Sequence, residues 1–419
     1  MKLKKLWVLS LVLIILFSAG CTTQDAQETS TDDTTGADTE ETVVSGRLKD
    51  SLTAEEEQLL ARSTYSVANN NYRLKKVIEK LQAGEEVTVA FIGGSITEGY
   101  NAGTTEIYAR LVSTYLAETY GNGSNVNYVN AGLSGTPSML GLIRCDRDIL
   151  AEEPDLIFIE FAVNDGQSVT DQIAYEGLVR KCLLSEKEPA VMLLFSVIES
   201  GYTCESTMGP IGFYYKLPAV SVNNVLSVEF ENGNLSWDDW SNDESHPNAY
   251  GQSLYARMIE YNIDILAERE TDEPFEVPAV CKMKKDWSGV TMYDNTNAGA
   301  GFSEQWSASS PHAAFQNGWT HTGDEAYAGI ADEGLTMNFT GSTLFVVYKT
   351  VSSGNYGTAE VLVDGEIVTH LAGKTSDGWN NPTTQLVWQG DAGGEHTLTI
   401  RMQEGDETTY FDVLCIGSN

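Results

Sequence analysis

Ser95 stands two residues past the apolar run "VTVAFI" and directly after Gly93-Gly94. A hydroxyl at the sharp end of a buried strand has two readings. It can cap the helix beyond it, since Gly and Ser are ordinary turn residues. It can also be a nucleophile, which needs a base, a group to orient that base, and donors for the developing oxyanion. The chain has five histidines: His246, His312, His321, His370 and His396. Only His246 falls where strands alternate with helices, so a histidine-activated Ser95 requires His246. Asp243 precedes it by three residues in "SNDESHPNAYG". In a tight turn that spacing lets a carboxylate reach the imidazole Nδ1 proton, fix the tautomer and stabilise the imidazolium. The same stretch also fits a plainer reading, in which Asp243 or Ser245 caps a helix and His246 is a solvated turn residue.

Two more residues stand in comparable places. Gly135, in "VNAGLSGTPS", offers a bare backbone N–H that could approach a ligand, or is a left-handed turn glycine. Asn164, in "EFAVNDG", closes an apolar strand with a side-chain amide, or belongs to an Asn-Asp-Gly turn.

These residues need a frame. Apolar runs predict strands at Val87–Gly93, Val126–Gly132, Asp155–Ala162 and Ala190–Val197, with a shorter fifth in "LPAVSV". Helical patterns separate them, and a long helix started by Pro247 closes the region. Strands alternating with helices imply a parallel sheet covered on both faces, a three-layer flavodoxin-like α/β/α domain over 47–273. In such sheets sites form at the carboxyl ends of the strands, where Ser95 sits. From Pro274 to Asn419 the runs shorten and are split by Gly, Asn and Asp. "VDGEIV" is a hairpin signal, and the region reads as an all-β, jelly-roll-like sandwich.

The flanking composition narrows the setting. A net charge of −35 over 419 residues argues against nucleic acid as a partner. Lys2, Lys4 and Lys5 precede an apolar run ending at Cys21, which is too short for a membrane span and reads as an export signal over 1–21. Residues 22–46 are rich in Thr, Asp and Glu, hold no aromatic or basic residue, and read as a disordered acidic tether. The five cysteines beyond Cys21 include no CxxC pair, which gives no zinc cluster and no full disulfide framework. No cofactor or metal is expected.

Together "FIGGSITEG", "NAGLSGTPS", "FAVNDG" and "DESHPNAYGQ" resemble the ordered blocks of the SGNH hydrolases, also called the GDSL esterase family. The resemblance implies Ser95 as nucleophile, Asp243 and His246 as its partners, and an oxyanion hole from the Ser95 and Gly135 N–H groups and the Asn164 amide. Two positions depart from the family pattern: Gly94 replaces an Asp, and Ala162 replaces a Gly. The nucleophile elbow of α/β-hydrolases does not fit, because Thr97 stands where its second glycine belongs. Likewise "SAGC", Ser18 to Cys21, resembles the lipobox of bacterial lipoproteins, which implies lipidation of Cys21, membrane contact through that anchor alone, and a place on the outer face of the cell membrane or secretion.

The sequence thus points to an extracellular serine esterase acting on acyl esters, O-acetyl above all, of carbohydrate. Trp237 and Trp240 beside the His246 turn are sugar-stacking candidates or core residues. Trp306, Trp319, Trp379 and Trp388 equip the sandwich to bind glycan, unless it only braces its neighbour. The rival enzyme readings are a lipase or thioesterase on lipid acyl chains and an acyltransferase. The rival of another class is a non-catalytic glycan-binding surface lipoprotein.

Overall fold

The computed structural model describes residues 46–66, 69–294, 319–321, 334–391 and 393–419. The expected signal segment with Cys21, almost all of the tether, Trp306 and the side chain of Trp319 lie outside the described residues. Among the described residues no helix is long and apolar enough to cross a membrane.

Five parallel strands form the first sheet: β1 (Val87–Gly93), β2 (Val126–Gly132), β3 (Leu156–Glu160), β4 (Ala190–Phe195) and β5 (Ala219–Ser221). Their order is β2-β1-β3-β4-β5. The chain moves from β1 outward to β2 and returns past β1 to β3, so the switch point lies between the carboxyl ends of β1 and β3. Successive β1 side chains face opposite layers. Val87, Val89 and Phe91 enter one core, and Ala90 and Ile92 enter the other. Because both faces are covered, the strand reads as a continuous apolar run. Phe91 stacks on Phe158 of β3 at 4.6 Å.

Helices α1 (Ala54–Ala61), α2 (Tyr72–Gln82), α3 (Ser95–Glu98), α4 (Tyr108–Tyr120), α5 (Ser138–Asp148) and α6 (Val169–Leu183) connect or cover these strands. They are followed by α7 (Glu205–Tyr214), α8 (Asn223–Glu231), α9 (Trp237–Trp240) and α10 (Ala249–Glu268). Helix α7 runs through Pro210 and buries Met208 and Ile211. Helix α6 begins at Val169, where Ser168 and Asp171 form a capping box. One detail departs from the sequence reading. The last helix is capped by Asn248, whose side chain accepts the Gly251 N–H at 3.0 Å, so Pro247 lies outside it.

The remaining strands are β6 (Thr291–Tyr293), β7 (Trp319–His321), β8 (Leu335–Thr340), β9 (Thr343–Val351), β10 (Thr358–Val363), β11 (Glu366–Ala372), β12 (Trp379–Gln389), β13 (Glu395–Met402) and β14 (Phe411–Ser418). They make two antiparallel sheets, β11-β10-β13-β8 and β12-β9-β14-β6, with β7 on β14. The β10–β11 hairpin turns at Asp364 and Gly365, both left-handed (φ 53° and 86°), as the Asp-Gly pair predicts.

All nine residues of β9 are buried. Leu344, Val346 and Tyr348 face the sandwich core, while Phe345 and Val347 join the core beneath α5 and α6. The connecting segment is laid along α6. Trp287 packs over Gly177 and meets Phe345 edge-on at 5.0 Å. Glu176 accepts the Met283 N–H at 2.7 Å, and Arg180 pairs with Asp286 at 3.0 Å. The sandwich therefore braces the α/β domain through a continuous apolar interface.

Candidate active site

Ser95 opens α3 immediately past the end of β1 and is 8% exposed. His246 and Asp243 lie on the turn between α9 and α10. That turn is built by its own side chains. Ser241 Oγ donates to the Asp243 and His246 carbonyls, and Trp237 Nε1 donates to the Asp243 carbonyl at 2.6 Å. Asp243 Oδ1 accepts the Ser245 and His246 N–H groups, each at 2.7 Å. Its Oδ2 accepts His246 Nδ1–H at 2.9 Å. One Asp243 oxygen thus holds the turn and the other holds the imidazole, while the helix beyond is capped by Asn248 and not by Asp243 or Ser245.

A carboxylate only accepts, so Nδ1 carries the proton and Nε2 is free to accept. Ser95 Oγ lies 2.9 Å from that Nε2. Burial acts to raise the Asp243 carboxyl, but donation from Asn101, from the His246 backbone and ring and from the Ser245 N–H prevails and holds it well below the usual carboxylate range. It stays ionised where an imidazolium would form. Tyr100 covers the imidazole edge-on, ring centroids 5.0 Å apart.

Asn164 follows β3 across the switch point and packs its amide against Gly94. A Cβ at residue 94 would fall 2.1 Å from Asn164 Oδ1 and 2.9 Å from Nδ2. In this chain a side chain at residue 94 would therefore have to displace the amide. Gly135 is exposed and left-handed (φ 69°). Its loop is tied to the helix that Ser95 opens, since Glu98 accepts the Ser134 N–H at 2.8 Å. Asp165 joins the other two loops by accepting the Ser138 N–H at 2.6 Å. Burial pushes its carboxyl up to about 7 against those hydrogen bonds from Ser138.

Behind the serine lies Glu160, the last residue of β3 and wholly buried. Burial pushes its carboxyl up to about 7, opposed by Ser196, Thr97 and the backbone of Gly94 and Ala162. Thr97 Oγ1 donates to its Oε2 at 3.2 Å. Its Oε1 has no hydrogen-bond partner. Arg144, also fully buried, donates to the Gly93 carbonyl at 3.2 Å and pairs with Asp148.

The sandwich contributes one of the tryptophans that the sequence singles out, through a contact with Gly135 that the sequence does not foretell. Trp379, at the start of β12 and 54% exposed, lays its ring against Gly135, where a Cβ would meet its Cζ2 at 2.5 Å. Trp240 is buried core, and Trp237 is spent on the Asp243 carbonyl. Trp388 packs on Phe339 and His396. Among the described residues no three His, Cys, Asp or Glu side chains are grouped to hold a metal ion.

Residues 91–254 match the model of the GDSL-like Lipase/Acylhydrolase family. No curated protein matches the chain. Among solved structures the chain is similar to a two-domain esterase (CEX) active on acetylated mannans, co-crystallised with mannopentaose. The identity is 28% and the TM-score 0.73, over 86% of this chain and 97% of that one. Another crystal structure of that two-domain esterase gives 28% identity and a TM-score of 0.72, over 86% and 98% of the two chains.

Proposed function

Residues 91–254 are a GDSL-like lipase/acylhydrolase domain, which makes the chain an ester-hydrolysing enzyme, and we propose that it is an exported serine esterase removing acetyl groups from carbohydrate. The observation that carries the mechanism is the Ser95–His246–Asp243 relay, 2.9 Å at each step. His246 Nε2 takes the Ser95 proton as Oγ attacks the ester carbonyl. The N–H groups of Ser95 and Gly135 and the Asn164 amide receive the oxyanion, each such donor being worth about 2.7–4 kcal/mol in the transition state. The imidazolium, steadied by Asp243, returns the proton to the departing sugar hydroxyl. Water then attacks the acyl-enzyme, with His246 again as base.

Two observations favour carbohydrate over a lipid chain. The two-domain relative acts on acetylated mannans, and the likeness extends over both of its domains. Trp379 offers an exposed indole beside Gly135, where a sugar ring could stack. Export and tethering through a lipid on Cys21 complete the proposal. A mature chain whose Cys21 carries no lipid would overturn the anchor.

The test is acetate release from acetylated glycans, measured beside p-nitrophenyl esters of increasing chain length, for the wild type and Ser95→Ala. Acetate release should dominate and fall by about 10⁶ in the variant, as when a serine nucleophile is removed elsewhere. A preference for long acyl chains overturns the carbohydrate reading, and undiminished turnover by Ser95→Ala overturns the nucleophile.

A further inference from the structure

We propose that Asn101 is a positioning residue of this site: its amide, carried on the nucleophile's own segment, holds the Asp243 carboxylate against His246. The inference rests on the serine-hydrolase reading above. Asn101 Nδ2 donates to Asp243 Oδ2 at 2.9 Å, and the same oxygen accepts His246 Nδ1–H. With Ser245 and His246 N–H on Oδ1, the carboxylate has four donors. Three of them come from within three residues of Asp243. Only Asn101 reaches in from another part of the chain.

Asn101 is set in place by the helix that Ser95 begins. Gly99 closes α3 in the left-handed region (φ 86°), and the N–H groups of Gly99 and Tyr100 both return to the Ser95 carbonyl at 3.0 Å. Asn101 is itself left-handed (φ 58°), a conformation asparagine tolerates better than most residues. The amide thus links nucleophile and acid without passing through the reacting Ser95–His246 contact, which must break and reform in each turnover. The link matters because the Asp243 side chain is 30% exposed. Without Asn101, water would take that place on Oδ2, and the carboxylate could turn away from the imidazole. Among the contacts that hold Asp243 ionised, the Asn101 amide is the largest.

The plain alternative is that asparagine is there only because the turn is left-handed. Asn101→Gly and Asn101→Asp separate the two, since both suit that backbone. The first removes the donor, and the second sets a carboxylate against Asp243. Both are assayed in the full chain on p-nitrophenyl acetate beside the wild type and Ser95→Ala. The downfield Nδ1 proton resonance of His246 is followed by NMR.

The expected result is a kcat about tenfold lower for Asn101→Gly and lower still for Asn101→Asp, as for loss of a hydrogen bond to a charged group. KM should change by less than about twofold, and the Nδ1 resonance should shift or broaden. If both variants keep kcat within about threefold of the wild type with an unmoved resonance, the proposal is overturned while the hydrolase reading stands. If the wild type is no faster than Ser95→Ala, the hydrolase reading fails and the proposal with it.

Discussion

Gly94→Ala offers a direct test of how the proposed oxyanion site is built. The backbone at residue 94 (φ −89°, ψ −150°) is open to any residue, so the substitution adds one methyl group without backbone strain. That methyl would lie 2.1 Å from Asn164 Oδ1 and 2.6 Å from its Cγ. A carbon and an amide oxygen do not approach within about 3 Å, so the amide must retreat by about 0.9 Å, the difference between 3.0 and 2.1 Å. A displacement of about 1 Å can cost 10²-fold in rate, and loss of a donor costs about 2.7–4 kcal/mol, or 10²–10³-fold in kcat. Gly94→Ala should therefore lower kcat on p-nitrophenyl acetate by about 10²-fold or more, approaching Asn164→Ala. The double variant should be no slower than Asn164→Ala, because the methyl then has no amide to displace. Two results would refute the reasoning: a folded Gly94→Ala enzyme with near-normal kcat, or losses that add in the double variant.

Two further expectations concern Glu160 and Trp379. The Glu160 carboxyl titrates near 4.5 when unfolded and about 7 in the fold, so between those values the native state keeps a proton the unfolded chain has released. Stability should fall as pH rises through that window, by roughly 3 kcal/mol from this group, and level off above it. Glu160→Gln cannot ionise, and its melting temperature should depend less on pH between 4.5 and 7; parallel curves would refute this. Asp165, also pushed up to about 7 by burial, adds slope of the same sign to both proteins, and Tyr108 and Tyr255 stay neutral phenols. Trp379→Ala should lower kcat/KM on an acetylated oligosaccharide by about two- to tenfold, as for loss of aromatic stacking, with a smaller fall on p-nitrophenyl acetate. Equal falls on both would remove its sugar-binding role.

The strands were legible because a sheet covered on both faces turns each strand into an apolar run, and the residues at the strand ends could then be placed. His246 could be singled out as a candidate because histidine is scarce in this chain. The features that escaped the sequence depend on contacts between distant segments. Helix α7 carries Gly209, Pro210 and Gly212, which read locally as breakers. It forms because Gly209 meets the Tyr65 ring, Gly212 faces Leu193, and Met208 and Ile211 are buried. Asn101 looks like any exposed loop asparagine until the Asp243 turn folds against it. Trp379 belongs to a different sheet system, and nothing in its surroundings signals that it will meet Gly135. For Trp240 the sequence left platform and core both open, and the structure places it in the core.

Strand β9 serves two masters, with alternate side chains owned by the sandwich and by the helices of the hydrolase domain. Such a layer cannot be traded between proteins like a bead on a string. Scission at the junction would give each fragment a wet apolar wall, and heating the intact chain should melt both halves in a single calorimetric event. The appended sheets and the hydrolase domain thus share one wall, and neither can be cut away without baring the other.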